Sequence, residues 1–364
     1  MKNEHFSDSD AVILLDSYEN LEYKHKASII NLYRAPREIF VDPEPAAAYL
    51  TENLGESAAN TVRRSFNSDQ LGYVLSALKS CGVRAITYLD DEYPSELRDY
   101  PIYPLVLYAI GNIRLLKAKR KFAIVGSRKT LPFALKTAEA VSRELSENGV
   151  VIVTGSALGG DRSAITGALK SGNVISVLAN GSDRLYPESN RSLIEEVMKK
   201  GLVISEYPPK TPPAAWRFPV RNRIIAALGD GLLVVSGDTD SGTRYTAKYA
   251  EAYSKRIYAF PYSIGETSGA ICNLLIKLGK ASLVENAEDV ALGEGIILSE
   301  KKLPELTERE RELLAAIDGK ITIDELCVRT GKKAFEIIPV LSMLEIKGAV
   351  SKEGGNAYVA LIKL

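Results

Sequence analysis

Phe122-Ala123-Ile124-Val125-Gly126-Ser127-Arg128 is the stretch that decides the fold of this 364-residue chain. Its apolar residues do not alternate with polar ones, so a strand built from them is buried on both faces. Strands of that kind belong to parallel sheets covered by helices on either side. The unit recurs: apolar runs at residues 150–153, 174–178, 202–204, 232–235 and 257–260 lead into Gly, Ser or Pro and then into a helix-like pattern, as crossovers between parallel strands require. The pattern predicts an α/β domain over residues 114–290, a Rossmann-like, doubly wound, mostly parallel sheet.

Outward from this sheet the rhythm changes on both sides. From Asp8 to about Arg84 apolar residues cluster three and four apart, as in Leu71, Val74, Leu75 and Leu78, which predicts helices. Residues 93–104 hold three prolines and three tyrosines before a short apolar run at 105–110, a connector ending in one strand. Residues 1–113 thus read as an N-terminal helical (SAM-like) domain with its connector. Residues 291–305 lack periodicity and read as a linker. Over 306–364, helices at 308–316, 323–329 and 334–346 precede the turn Glu353-Gly354-Gly355-Asn356, the order of a winged-helix domain.

Lys and Arg number 46 and so do Asp and Glu, so no global charge draws the chain to nucleic acid or membranes, and any anion site is local. Cys81, Cys272 and Cys327 are widely spaced, and the histidines are His5 and His25. That excludes a zinc motif, a disulfide framework and histidine-based catalysis, and fits a reducing compartment. No metal or cofactor is expected. The start Met1-Lys2-Asn3-Glu4-His5 lacks a signal peptide's apolar core, and no apolar run reaches membrane length. The expectation is a cytoplasmic protein with no membrane contact.

In parallel α/β sheets ligands sit beyond the carboxyl ends of the strands. There the chain places Gly126-Ser127-Arg128, then Gly155-Ser156-Ala157-Leu158-Gly159-Gly160-Asp161-Arg162, then Asn180-Gly181-Ser182-Asp183-Arg184-Leu185-Tyr186-Pro187, then Ser205-Glu206-Tyr207-Pro208. Glycines let backbone N–H groups approach an anion, and arginines supply bidentate phosphate contacts. One glycine at a strand end is ordinary turn punctuation; four such loops at one edge suit phosphate. Trp216-Arg217-Phe218-Pro219-Val220-Arg221-Asn222-Arg223 opens a helix, with arginines to clamp a backbone and a ring to stack on a base, the combination single strands require. Bland surface arginines are the competing reading. Ser241-Gly242-Thr243 begins another helix, where an N-cap would explain the hydroxyls alone; beside the other loops it completes a pocket.

At these residues the chain resembles the DprA (Smf) DNA-processing family. The likeness rests on Val125-Gly126-Ser127-Arg128, on Gly155 with Ala157, Gly159, Asp161 and Gly167-Ala168-Leu169, and on Tyr186-Pro187 with Asn190. It extends through Ser205-Glu206-Tyr207-Pro208, Phe218-Pro219 with Arg221-Asn222-Arg223, and Ser241-Gly242-Thr243 with Thr246-Ala247. Tyr93-Pro94 and Pro104 resemble the family's lead-in segment, and the ending resembles its winged helix. The resemblance implies a dimer that binds single-stranded DNA taken up during natural transformation, protects it and helps load the RecA recombinase. Three positions depart from the family pattern in the second loop: Leu158 and Ile165 stand where Arg and His are usual, and Gly160 where Ile is usual. Arg162 stands ready to replace the charge. Pro261-Tyr262 and Ile271-Cys272-Asn273 depart further along.

Two other functions compete. A nucleotide phosphoribohydrolase of the lysine-decarboxylase-like group resembles the chain around Ser241 to Thr243. It needs a carboxylate there, where the chain offers Arg244, Tyr245, Thr246 and Ala247, leaving Asp161 and Glu206 as the candidate acids. A dinucleotide enzyme is weaker, because residues 155–160 are not GxGxxG. The remaining alternative is a protein adaptor acting through the winged helix, whose helix at 332–347 carries Glu336, Pro339 and Glu345 beside its lysines and lacks the positive charge of a major-groove reader. The expectation is therefore a non-catalytic single-strand binder.

Overall fold

The computed structural model describes residues 6–299 and 305–362. The apolar runs pair into one sheet of nine strands among those residues: β1 (Arg84–Thr87), β2 (Val106–Gly111), β3 (Lys121–Val125), β4 (Val151–Thr154), β5 (Val174–Leu178), β6 (Leu202–Ser205), β7 (Gly231–Val234), β8 (Arg256–Ala259) and β9 (Ser282–Leu283). Their order is β1-β2-β6-β5-β4-β3-β7-β8-β9. From β6 to β9 every pairing is parallel, whereas β2 runs antiparallel to both β1 and β6. Every residue of β3 to β7 is buried, which is why these runs carry no polar alternation.

From β3 onward the direction in which the chain steps across the sheet reverses once. The connections β3–β4–β5–β6 step one way, then helix Arg217–Leu228 carries the chain back to β7, and β8 and β9 step the other way. The switch point therefore lies between β3 and β7, where the loops diverge and leave a crevice at the carboxyl edge.

The boundary expected at residue 114 is corrected here, because the sheet already begins at Arg84. β1 was missed for a physical reason: of Arg84-Ala85-Ile86-Thr87 only Ile86 and Thr87 are buried, too short a signal to break the surrounding helical rhythm. The connector is fastened by the Tyr93 hydroxyl, which donates to the Pro104 carbonyl at 2.7 Å. Helices Asp8–Asp16, Tyr23–Asn31, Glu44–Leu54, Glu56–Ser65 and Ser68–Ser80 form the predicted N-terminal helical domain. Val12, Ile13 and Leu78 from it share a core with Val106 and Tyr108 of β2. A buried ion pair, Lys26 to Asp16 at 2.9 Å, also takes the Tyr108 hydroxyl at 2.9 Å.

The linker expected at 291–305 begins later than the sequence suggests, since residues to Glu294 complete helix Ala287–Glu294; residues 300–304 lie outside the described residues. The chain divides into two compact units after Leu298. The second has helices Glu308–Ala315, Ile323–Thr330 and Ala334–Ile346 and strands β10 (Ile321–Thr322), β11 (Val350–Glu353) and β12 (Ala357–Ala360), ordered β10-β12-β11. This is the winged-helix arrangement, with Leu326, Leu341 and Leu344 at its core. Reciprocal capping boxes at Thr307–Glu310 and Thr322–Glu325 start its first two helices.

Candidate nucleic-acid interface

At the switch point the loops after β3, β4 and β7 and the start of helix Arg217–Leu228 enclose a pocket of about 380 Å³. Gly126, Ser127, Arg128, Phe218, Arg221, Asn222, Ser241, Gly242 and Thr243 all line it, together with Lys129, Ala157 and Asp161. Nine of the fourteen residues selected from sequence thus meet in one place, including the widely separated Arg128, Arg221 and Ser241.

Glycine at two positions lets these loops come so close. Gly159 has φ of 81°, and a Cβ on it would run into the Ser127 carbonyl. A Cβ on Gly160 would stand 2.5 Å from the Gly126 Cα, well inside contact distance. Gly160, one of the departures from the family pattern, is therefore where the first two loops touch backbone to backbone. The other two departures lie off the pocket: Ile165 is fully buried in the sheet's core, and Leu158 is not among the lining residues.

Not every amide predicted to face an anion does so. The Gly126 N–H donates to Asp161 Oδ1 at 3.2 Å and the Ser127 N–H to Ser236 Oγ at 2.9 Å, so both are satisfied internally. Among the described residues, the N–H groups of Arg128, Gly242 and Thr243 have no hydrogen-bond partner, and the Ser241 hydroxyl is buried without one. These donors, with the exposed Arg128 and Lys129 side chains, are what the pocket offers an anionic ligand.

Asp161 and Arg221 form its floor. Asp161 is buried and also accepts from the Ala157 N–H at 3.3 Å; burial raises its pKa above the ordinary carboxyl value, against the opposing pull of Arg221, the two amides and Arg128. Arg221 is 4% exposed, donates to the Val177 carbonyl and to Asn222 Oδ1, and lies 6.0 Å from the centre of the Phe218 ring. Burial lowers its pKa while Asp161 opposes the fall. Gly155 is part of this floor rather than an anion donor: a Cβ there would strike Asp161 and come within 2.8 Å of Arg221 Nη2.

Four other selected residues fall outside the pocket. Arg223 pairs with Glu206, with side-chain exposures of 7% and 18%. Two positions along a helix turn a side chain to the far side, so Arg221 and Arg223 cannot serve one ligand. Arg217 is turned toward the loop after β6, where it donates to the Pro212 carbonyl at 2.6 Å and lies over the rings of Tyr207 and Trp216. Gly181 is buried, donating its N–H to the Thr211 carbonyl at 3.0 Å. Arg162 is exposed beside the pocket, with one long contact to Asn190 at 3.4 Å.

Arg162 nevertheless belongs to a larger feature that sequence reading missed. Following strand order along the carboxyl edge, the loop after β6 carries Lys210, the loop after β5 Arg184, the helix start after β4 Arg162, and the loop after β3 Arg128 and Lys129. All five are exposed, and among the described residues none has a salt-bridge partner. With neighbouring strands about 4.8 Å apart, β6 to β3 covers roughly 14 Å. The nearby acids are engaged: Glu206 with Arg223, Glu188 with Arg191, Asp161 with backbone amides. Asn190 locks two of these loops by donating to the Ser156 and Ala157 carbonyls at 2.9 and 3.1 Å. The missed residues were visible as cations in strand-end loops, but their alignment needs the strand order.

No group of three or more His, Cys, Asp or Glu able to hold a metal occurs among the described residues, and no helix there is long and apolar enough to cross a membrane.

Comparison with known proteins adds independent findings. Residues 84–293 match the family model described as DNA recombination-mediator protein A, starting at the first residue of β1, and residues 299–356 match the DprA winged helix domain. A putative DNA processing protein DprA of Mycobacterium tuberculosis is 33% identical over 305 residues, 78% of each chain. The crystal structure of DNA processing protein A from Streptococcus pneumoniae superposes with a TM-score of 0.66 at 29% identity, covering 79% of this chain and 98% of that one. DNA processing protein A from Helicobacter pylori, studied for its single-stranded DNA binding mode, superposes with a TM-score of 0.55 at 30% identity, covering 60% of this chain and 99% of that one.

Proposed function

This chain belongs to the DNA recombination-mediator protein A family, and from that premise we propose that it binds single-stranded DNA along the carboxyl edge of its large sheet. The observation that carries the reading is the row of five exposed cations, without salt-bridge partners among the described residues, leading to a pocket in which the Arg221 guanidinium lies over the Phe218 ring. Spaced cations follow a phosphate backbone of any sequence, and a ring accepts the face of any base. A duplex hides its base faces, so single strands are preferred.

The same reading makes the protein a mediator rather than a catalyst. Asp161 and Glu206, the acids a phosphoribohydrolase would need, are tied to backbone amides and to Arg223, and neither is free to activate water. The finer parts of the proposal are that the protein shields incoming DNA, hands it to RecA, and works as a homodimer. The winged-helix unit fits a protein contact better than a DNA one, because helix Ala334–Ile346 exposes Phe335 (69%) and Ile346 (78%), side chains suited to an apolar partner surface.

The test is fluorescence anisotropy with a labelled oligothymidylate, challenged by unlabelled single strand or duplex of equal length. Single strand should displace the label at far lower concentration. Equal competition by duplex, or no binding at low salt, would refute the proposal, and release of free base from nucleoside monophosphates would favour the enzyme.

A further inference from the structure

The pocket at the switch point leaves one conspicuous side chain unexplained. Trp216, the sole tryptophan of the chain, is 61% exposed although indole is among the costliest surfaces to leave in water. It caps the start of helix Arg217–Leu228, two residues before Phe218.

Its surroundings hold it in place without covering it. The Arg217 guanidinium lies 5.1 Å from the indole centre and 4.7 Å from the Tyr207 ring centre, and the Tyr207 ring meets the indole edge-on at 6.4 Å and 89°. Arg217 is fixed in turn by the Pro212 carbonyl and is 12% exposed at its side chain. The indole thus carries a cation over its ring and still leaves most of its surface to solvent, a rigid flat surface with its entropy cost already met. The position is telling as well. Phe218 points into the pocket, where its ring lies 5.8 Å from Tyr186 of the loop after β5, while Trp216 stands with Tyr207 of the loop after β6. Lys210 and Arg184 project from those same two loops.

We propose that Trp216 is a second base-stacking platform, so that a single strand runs across the sheet's carboxyl edge, with one base on Phe218 in the pocket and a later one on the exposed ring of Trp216. The inference rests on the single-strand reading above and adds its direction: from the β3–β7 crevice toward β6. Arg128 and Lys129 hold phosphates at the first end, and Arg184 and Lys210 at the second. The ligand is a single-stranded oligonucleotide long enough to reach both rings, with no demand on sequence, because stacking is tolerant of base identity.

Because the chain has one tryptophan, its emission reports this contact directly. Full-length protein is titrated with labelled oligothymidylates of increasing length, reading label anisotropy and tryptophan emission in the same cuvette. Short oligomers that reach only the pocket should raise anisotropy with emission unchanged; beyond a threshold length, emission should be quenched in step with binding. An oligomer abasic over the segment that reaches Trp216 should bind without quenching. Trp216→Ala should weaken long oligomers by about 5- to 150-fold and short ones not at all, and Trp216→Phe should recover most of the loss. Long oligomers that bind with unchanged emission, or equal quenching by the abasic oligomer, would overturn the assignment of Trp216 and leave single-strand binding standing. No anisotropy change at any length would overturn both.

Discussion

Arg128 and Arg223 make opposite predictions although sequence alone gave them the same role. Arg128 is exposed, lines the pocket and has no salt-bridge partner among the described residues, whereas Arg223 is buried against Glu206. If the five rim cations each neutralise one phosphate, log K should fall against log salt with a slope of about −3.5, at about 0.7 per phosphate on a single strand. Arg128→Ala removes one contact and should leave about −2.8. Over a fourfold rise in salt the affinity of the unaltered protein then drops about 130-fold and that of the variant about 50-fold.

Arg223→Ala should leave the slope alone and act on folding instead. It strips the partner from a carboxylate whose side chain is 18% exposed, and breaking a buried pair this way costs about 3–5 kcal/mol. Urea unfolding and anisotropy titrations at several salt concentrations, run on both variants, separate the two effects. A folded Arg223→Ala protein whose slope flattens as much as that of Arg128→Ala would refute the assignment of the rim.

Phe218→Ala should lose about 1–3 kcal/mol of binding as stacking is removed, with the salt slope unchanged, because no charge is altered. Gly160→Ala forces a methyl to within 2.5 Å of the Gly126 backbone, so unfolding experiments should show a loss of at least about 1–3 kcal/mol and the pocket should weaken with it. Asp161 titrates above its ordinary value because it is buried; a raised folded-state value means that its contribution to stability is complete below the unfolded carboxyl value and is lost as pH rises through the folded one. Asp161→Asn should flatten that part of the stability–pH curve, and single-strand affinity of the unaltered protein should rise as pH falls through the same window, since protonation removes the one negative charge lining the pocket.

What the sequence disclosed, and what it withheld, divides along one physical line. Six sheet strands were legible to within a residue or two because runs buried on both faces leave an unbroken apolar record, and the winged-helix helices because their apolar spacing and caps are local. β1 was lost because two buried residues in a four-residue edge strand record almost nothing. In the same way the glycine-rich loops were found but partly misread: Gly155 is small so that Asp161 and Arg221 can lie against it, and Gly126 so that Gly160 can, not so that a phosphate can.

The charges show the limit most plainly. Arg217, Arg221 and Arg223 look alike within seven residues of sequence, yet helix phase and the partners Glu19, Asp161 and Glu206 send them to three environments. Those partners come from the N-terminal helical domain, the helix start after β4 and the loop after β6, none adjacent in sequence to the helix. The proposed location of the site depends on topology rather than on any one arginine. A parallel sheet whose connections reverse direction must open a crevice where they part, and here β3 and β7 are the strands that part. Arg128 lies in the loop after β3 and Ser241 in the loop after β7, so whatever the inner arginines do, both line the pocket at that gap.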